Sequence, residues 1–241
     1  TLFFTDAALC GLSALALRTN APTVLRQEAL GYPAGANAWK PSSAIQSGAT
    51  VFGDVALVAP EKAIVANSAA VREWDSNGTN FGFRPELGHT AGEFGHNDFY
   101  PVCIAAAQMA GLDGKTALRA MVCHDEIRGR LAEVFSLKTY KIDHVLHGAI
   151  ASAAVFGAML GASPEQIESA IGMVVAHAVP FRAIRAGKQL SDSKGASAAI
   201  STEFAVLAVK RSMMGFRGPR DIFRNPEAVF RIFEGPGQMF Q

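Results

Sequence analysis

Four short polar segments interrupt a chain that is otherwise rich in alanine, leucine, valine and glycine. They cover residues 74–79, 95–98, 142–144 and 192–195. Within them lie a carboxylate, two imidazoles and an ammonium group, from Asp75, His96, His144 and Lys194. Such groups exchange protons and hold anions near neutral pH. Since apolar helices do not need them for packing, the set predicts an acid/base site that removes a proton next to a carboxylate.

His96 comes just before a helical pattern that begins near Asn97 or Asp98. The first N–H groups of a helix and the helix dipole favour a bound anion there. His96 is therefore a candidate contact for a carboxylate substrate. The alternative is a histidine that only caps or packs locally.

His144 and His147 are spaced i, i+3 at the start of another helical pattern, so their side chains share one face. This spacing raises the question of a metal. No HExxH pattern, cysteine pair or third ligand at a familiar spacing accompanies them. The sequence therefore favours His144 as a general acid or base, with no metal.

A locally basic segment lies near the fourth polar stretch. Arg182, Arg185, Lys188 and Lys194 are opposed only by Asp192, although the whole chain is nearly neutral. A solvated helix end is one explanation of such a run. The other is a binding site for a small polycarboxylate, with Arg185 and Lys188 as substrate-binding residues beside Lys194, a candidate catalytic residue.

The positions of apolar residues predict a mainly α fold. They recur every three or four residues through 2–18, 60–74, 98–110, 114–136, 147–160, 164–179 and 197–214. Ser163-Pro164-Glu165-Gln166 predicts a capped helix start, and Gly161 the end of the helix before it. Segments 32–48 and 75–95 are predicted loops, and a short strand is predicted at 50–53.

Composition excludes several classes of protein. The 241 residues have a net charge of +1, which gives no general attraction to nucleic acid or to a membrane surface. Three separated cysteines favour a reducing, cytoplasmic compartment over a disulfide framework. Residues 1–17 are apolar but carry Asp6, so we expect a buried helix there and a soluble protein.

Familiar cofactor and nucleophile motifs are missing from the sequence. The glycines at 88, 92 and 95 do not follow a strand, and 235–237 is predicted to be a turn. Ser193 has no nucleophile-elbow context, while Cys103 and Cys123 lie in apolar helical patterns. We therefore expect a reaction that needs no cofactor.

Taken together, the motifs resemble the MmgE/PrpD superfamily, whose members include 2-methylcitrate dehydratase, cis-aconitate decarboxylase and iminodisuccinate epimerase. The resemblance covers nearly the whole chain. It rests on residues 66–70, 72–75, Thr79, 95–96, 129–132, His144 before a small-residue helix, and Lys194 before another.

The resemblance implies an active site made of Asp75, Thr79, His96, His144 and Lys194. Two segments depart from the family pattern. Residues 76–78 are Ser-Asn-Gly where further acidic residues are common, and 97–98 are Asn-Asp where Pro-Ser is common. These departures bear on the substrate more than on the fold.

The resemblance also implies a helical domain followed by a smaller α+β domain that closes the site. We expect residues 1–241 to form the helical domain and the lid to come from a second polypeptide or from another part of the same one. From its small-residue helical faces we also expect a homo-oligomer, such as a dimer.

Dehydration, decarboxylation and epimerisation of a polycarboxylate all build similar charge next to a carboxylate. We expect dehydration of a 2-methylcitrate-like substrate, with decarboxylation or epimerisation of a related polycarboxylate as the alternative. A non-catalytic partner subunit or binding protein is a hypothesis of a different class. The joint presence of Asp75, His96, His144 and Lys194 argues against it.

Overall fold

The protein is mainly α-helical in the computed structural model, as the sequence predicts. The structure describes residues 1–35, 38–76, 78–83, 85–87, 93–95, 97–135, 137–184 and 191–229. Its helices are α1 Leu2–Ala16, α2 Asn20–Leu30, α3 Pro60–Arg72, α4 Tyr100–Ala110, α5 Gly114–Val134, α6 Val145–Met159, α7 Pro164–His177, α8 Asp192–Gly195 and α9 Ser197–Met213.

Two helices are additions to the predicted set. α8 has only four residues, and α2 has only eleven, nearly half of them polar, so both were missed from the sequence. Pro22 fits α2 because the first turn of a helix has N–H groups without helical partners. Ala21, Pro22 and Ala29 are the buried residues of α2, which packs on α3.

Strands are short and lie beside the helices. β1 Ala49–Thr50 pairs with β2 Leu57–Val58 in antiparallel fashion, so the predicted strand at 50–53 is shifted and shorter. β3 Thr79–Phe81 pairs with β4 Glu93–Gly95, again antiparallel. The predicted loop 75–95 therefore contains a two-stranded pair.

The core forms around α9, which packs against α3, α6 and α7. Every residue of α3 except Lys62 is buried. Small side chains on α3 and α6 let the axis of each helix approach that of α9 closely. A Cβ at Gly148 of α6 would clash with the ring of Phe99, so this glycine permits the 3-10 turn Asn97–Phe99 to lie on α6.

Sequence signals fix the junction between α6 and α7. The Ser163 hydroxyl accepts a hydrogen bond from the Gln166 N–H at 3.3 Å, and the Gln166 side chain accepts one from the Ser163 N–H at 2.8 Å. This is the predicted capping box. Gly161 has a φ of +80°, a conformation that favours glycine just after a helix.

The first helix differs from its prediction. α1 forms, but only Ala7, Gly11 and Ala14 are buried, while Leu2, Leu9 and Leu12 are exposed. The expectation of a buried helix is thus correct for one face only. Within the described ranges no single helix has the length and hydropathy to cross a bilayer; α1 and α2 reach them only as a pair bent by 87°.

Candidate active site

Asp75 occupies a strained turn directly after α3. Its φ is +52°, a left-handed conformation that costs a residue other than glycine about 1–3 kcal/mol. Its N–H donates to the carbonyl of Arg72 at 2.9 Å, which ends the helix. Strain of this kind persists where surrounding contacts hold the residue in place, and such residues cluster at functional sites.

The side chain of Lys194 contacts that of Asp75, although the two residues are far apart in the sequence. Its Nζ lies 3.1 Å from Oδ2 of Asp75, and both side chains are part-exposed, at 34% and 41%. The lysine comes from α8, the short helix that leads into α9. A cleft of about 180 Å³ contains both groups, and its lining residues are Glu73, Asp75, Ser191, Asp192, Lys194 and Gly195. The structure therefore brings two of the sequence-predicted site residues together.

Arg72 is part of the same arrangement, although sequence reasoning did not select it as a site residue. Its NH1 contacts Oδ1 of Asp75, and its Nε lies 3.4 Å from Oδ2 of Asp98. Arg72 and Asp98 side chains are each only 2% exposed. The available signal was a charged residue in the last turn of α3 after nine uncharged residues, 63–71, since a buried guanidinium requires acidic partners.

His144 lies at the start of α6, where its imidazole is next to the carboxylate of Asp143. The side chain of His144 is 6% exposed, and its Nδ1 is 3.3 Å from Oδ1 of fully buried Asp143. The same oxygen accepts from the N–H of Val145 at 3.1 Å, so Asp143 also occupies the free N–H end of α6. A carboxylate beside Nδ1 favours the tautomer that carries its proton there.

Backbone contacts tie this histidine to the segment before residue 185. The N–H of Asp143 donates to the carbonyl of Pro180 at 2.8 Å, and the N–H of Arg182 donates to the carbonyl of Lys141 at 2.7 Å. Asp143 thus fixes both the imidazole and the position of the chain near Arg182.

His147 is buried one turn further along α6. It is 2% exposed, and its two ring nitrogens have no hydrogen-bond partner among the described residues. Burial, reinforced by the charge of Arg128, lowers the pKa of His147 to about 3, so the ring is neutral at pH 7. Within the described ranges, no three His, Cys, Asp or Glu side chains converge as metal ligands.

Thr79 lies elsewhere among the described residues. It is exposed on β3 and lines a larger cleft of about 490 Å³ together with Phe81, Tyr100 and Asp125. Thr79 is not a lining residue of the smaller cleft that holds Asp75 and Lys194. The structure therefore does not bring these three predicted residues into one cleft.

Three further predicted site residues, His96, Arg185 and Lys188, lie outside the described residues. Their assignment to the site rests on the sequence alone. It stays a prediction.

A second buried polar cluster, also missed from sequence, lies at the larger cleft. The hydroxyl of Tyr100 donates to Asp125 at 2.6 Å, and Arg128 lies 3.3 Å from the same carboxylate. Burial raises the pKa of Asp125, and Arg128 opposes that rise. The Arg128 guanidinium also lies 4.4 Å from the ring centroid of Phe99.

His124 belongs to this second cluster. Its Nε2 is 3.0 Å from the hydroxyl of Ser152 on α6, and its ring stacks on Phe99. Burial, followed by the charge of Arg128, lowers the pKa of His124 well below its ordinary value. The imidazole is therefore a neutral packing group at pH 7.

Comparison with known proteins gives the evolutionary context. The chain is 30% identical over 199 residues to the 2-methylcitrate dehydratases of Salmonella typhi and Escherichia coli (strain K12), and 29% identical to that of Salmonella typhimurium. Each match covers 78% of this chain and 41% of the relative, so the chain spans about two fifths of the length of these relatives. The family model for the MmgE/PrpD N-terminal domain matches residues 4–240, and the chain belongs to the MmgE/PrpD family.

Proposed function

We propose that this helical domain is part of a lyase that dehydrates a 2-methylcitrate-like hydroxy-tricarboxylate by removing a proton next to a carboxylate. The observation that carries the proposal is the contact of Asp75 with Lys194, two groups distant in sequence that share one cleft. The names of the relatives support the substrate class.

Lys194 is the anion-binding group in this proposal. Its ammonium is partly exposed, so a substrate carboxylate can approach it while Asp75 keeps it in place. Negative charge builds on that carboxylate as the neighbouring carbon loses its proton. A fixed cation therefore stabilises the transition state more than the ground state.

His144 is the proposed proton carrier. It sits beside buried Asp143, which orients the ring and stabilises its protonated form when it accepts a proton. The proton would come from the substrate carbon or go to the departing hydroxyl. His96, Thr79, Arg185 and Lys188 are proposed to complete the site, with the three residues other than His96 binding substrate.

The proposal concerns the whole protein that carries this domain. A lid, supplied by another part of the polypeptide or by a companion chain, would exclude water from the open cleft. We further propose a cytoplasmic homo-oligomer that works without a bound cofactor. Size measurement of the purified protein with identification of its chains by mass spectrometry tests the assembly.

A substrate panel tests the reaction. Full-length protein is incubated with citrate, 2-methylcitrate and cis-aconitate, and unsaturated product and carbon dioxide are measured separately. Dehydration predicts an unsaturated product from 2-methylcitrate without carbon dioxide. Carbon dioxide from cis-aconitate would assign decarboxylation instead. If none of the three compounds is turned over, the proposal is contradicted.

Lys194→Ala tests the site. We expect kcat/KM to fall by about 10²–10³, the usual effect of removing a group that stabilises transition-state charge. Lys115→Ala is the matched control because Lys115 is an exposed lysine at the start of α5. Equal activity of the two variants would place the reaction elsewhere.

A further inference from the structure

The two carboxylate oxygens of Asp75 contact two different cations, one part-exposed and the other buried. Oδ2 faces part-exposed Lys194 at 3.1 Å, while Oδ1 contacts Arg72, whose side chain is 2% exposed. The pair that faces the cleft is therefore attached, through one carboxylate, to a charge in the protein interior.

Arg72 has its own anchor. Its Nε is 3.4 Å from Oδ2 of Asp98, a residue of the 3-10 turn Asn97–Phe99 that is equally buried. The guanidinium is planar and presents five donors in a rigid fork, so two fixed acids define its orientation. Asp98, Arg72 and Asp75 thus form a line from the interior to the cleft.

The line has unsatisfied polar atoms, a feature of buried ion pairs that stabilise a fold weakly. Nε and NH1 of Arg72 and Oδ1 of Asp98 have no aligned hydrogen bond within the described part of the chain, so Arg72 holds its two acids by charge and proximity. Buried ion pairs with unsatisfied atoms often stabilise a fold less than apolar residues of similar size would. A buried arginine at the end of a helix that otherwise buries mainly small and apolar residues calls for another role.

Resting on the proposed function of the cleft, we propose that Arg72 is a positioning residue that fixes the Asp75 carboxylate against Lys194, with Asp98 as its anchor. Arg72 has almost no surface of its own, so it acts through Asp75 rather than on substrate. Fixing Asp75 keeps the Lys194 ammonium where the substrate carboxylate binds. It also supports the strained backbone of Asp75, whose N–H is bonded to the carbonyl of Arg72.

The test removes the buried charge pair as a unit in the full-length protein. Arg72→Met/Asp98→Asn deletes both charges, so neither is left uncompensated in the interior. Lys210→Met/Glu61→Gln is the matched control, because this largely buried pair also joins α3 to another element, but at the end of α3 far from Asp75. Crystal structures of both variants and of the wild type give the distance from Lys194 Nζ to Asp75.

We expect the Arg72→Met/Asp98→Asn variant to lose the contact of Lys194 with Asp75 and the control to keep it. Retention of the contact in the first variant, or its loss in both, overturns the positioning role. This readout does not need turnover. It therefore decides the role of Arg72 even if the proposed dehydration is wrong.

Kinetics supply the second readout. We expect kcat to fall about ten- to hundredfold in the Arg72→Met/Asp98→Asn variant. Adding Asp75→Asn to this variant should lower kcat little further, because Arg72 acts through Asp75. In the control background, the fold-loss in kcat from Asp75→Asn should multiply with that of the control substitutions. Multiplied losses in both backgrounds would show that Arg72 acts independently of Asp75.

A milder variant guards against misfolding. Arg72→Lys keeps the buried charge but lacks the planar fork that contacts both acids. We expect a folded protein with a reduced kcat and a smaller change in KM. Wild-type kcat in this variant would contradict the proposal.

Discussion

Asp143 and His144 illustrate how one buried carboxylate can serve two purposes. Oδ1 of Asp143 accepts from the N–H of Val145 and lies 3.3 Å from Nδ1 of His144. The first contact fixes the start of α6, and the second fixes the imidazole. At the residue scale, the position of the proposed proton carrier therefore depends on a helix cap.

Substitution of His144 should abolish most proton transfer. We expect His144→Gln to lower kcat by about 10²–10⁴, the usual contribution of a general acid or base. Asp143→Asn should have a smaller effect, because it leaves the ring in place and weakens only its orientation. Steady-state kinetics on the full-length protein measure both. A larger loss for Asp143→Asn than for His144→Gln would make the cap, not the imidazole, the important group.

Neutral buried histidines should make folding sensitive to acid. In the folded protein the pKa of His147 is about 3, below its ordinary value of 6.5, so an unfolded chain binds the proton more readily below pH 6.5. The contribution of the neutral His147 ring to the free energy of unfolding is complete above pH 6.5 and is lost as the pH falls from 6.5 toward 3. The slope is about 1.4 kcal/mol per pH unit for each such group.

Urea titrations at a series of pH values between 7.5 and 5 measure this slope. His147→Gln should reduce it by the contribution of one group. His177→Gln is the control, since His177 is exposed at the end of α7. An unchanged slope in His147→Gln would mean that His147 is not a neutral buried group.

At the scale of elements, glycine at one position of α6 allows the 3-10 turn Asn97–Phe99 to lie against the bundle. The same turn carries Asp98, which contacts Arg72. Close packing of α6 on this turn is therefore a condition for the arrangement around Asp75.

Gly148→Ala should disturb that packing. The added methyl group would meet the ring of Phe99, and we expect a loss of about 1–3 kcal/mol in the free energy of unfolding. Gly114→Ala is the control, because a Cβ at Gly114 of α5 has open space around it. Thermal or urea unfolding measures both. Equal stability of the two variants would contradict the tight contact.

The sequence predicted most elements because most helices here bury a continuous apolar face. α6 and α9 are longer and mostly small or apolar, whereas α2 has eleven residues, nearly half of them polar, and was missed. β3 pairs with β4 although residues 82–92 separate them in the sequence, so no short sequence pattern predicts this pairing. Helix ends were predicted best where a capping box or a left-handed glycine marks them, as at Ser163 and Gly161.

The site was less predictable than the fold. Residue type and the family resemblance suggested Asp75 and Lys194, and the structure places them in contact. Arg72 and Asp98 were missed as partners because burial and pairing between distant residues are tertiary properties. Thr79 lines a different cleft, which its spacing from Asp75 along the chain does not reveal.

At the scale of the whole molecule, the helices hold the proposed anion-binding group at the surface and its supporting charges inside. The Asp75–Lys194 cleft is only about 180 Å³ and open, while buried Arg72 and Asp98 lie behind Asp75. The tricarboxylate of the proposed reaction therefore needs further contacts from the rest of the protein. The described part of the chain supplies the cation and its support.

A crystal structure of the full-length protein with bound citrate tests the central claim most directly. We expect a citrate carboxylate within hydrogen-bond distance of Nζ of Lys194, in the cleft that contains Asp75. Citrate bound only in the larger cleft lined by Thr79 and Tyr100, with Lys194 making no contact to it, would contradict the account.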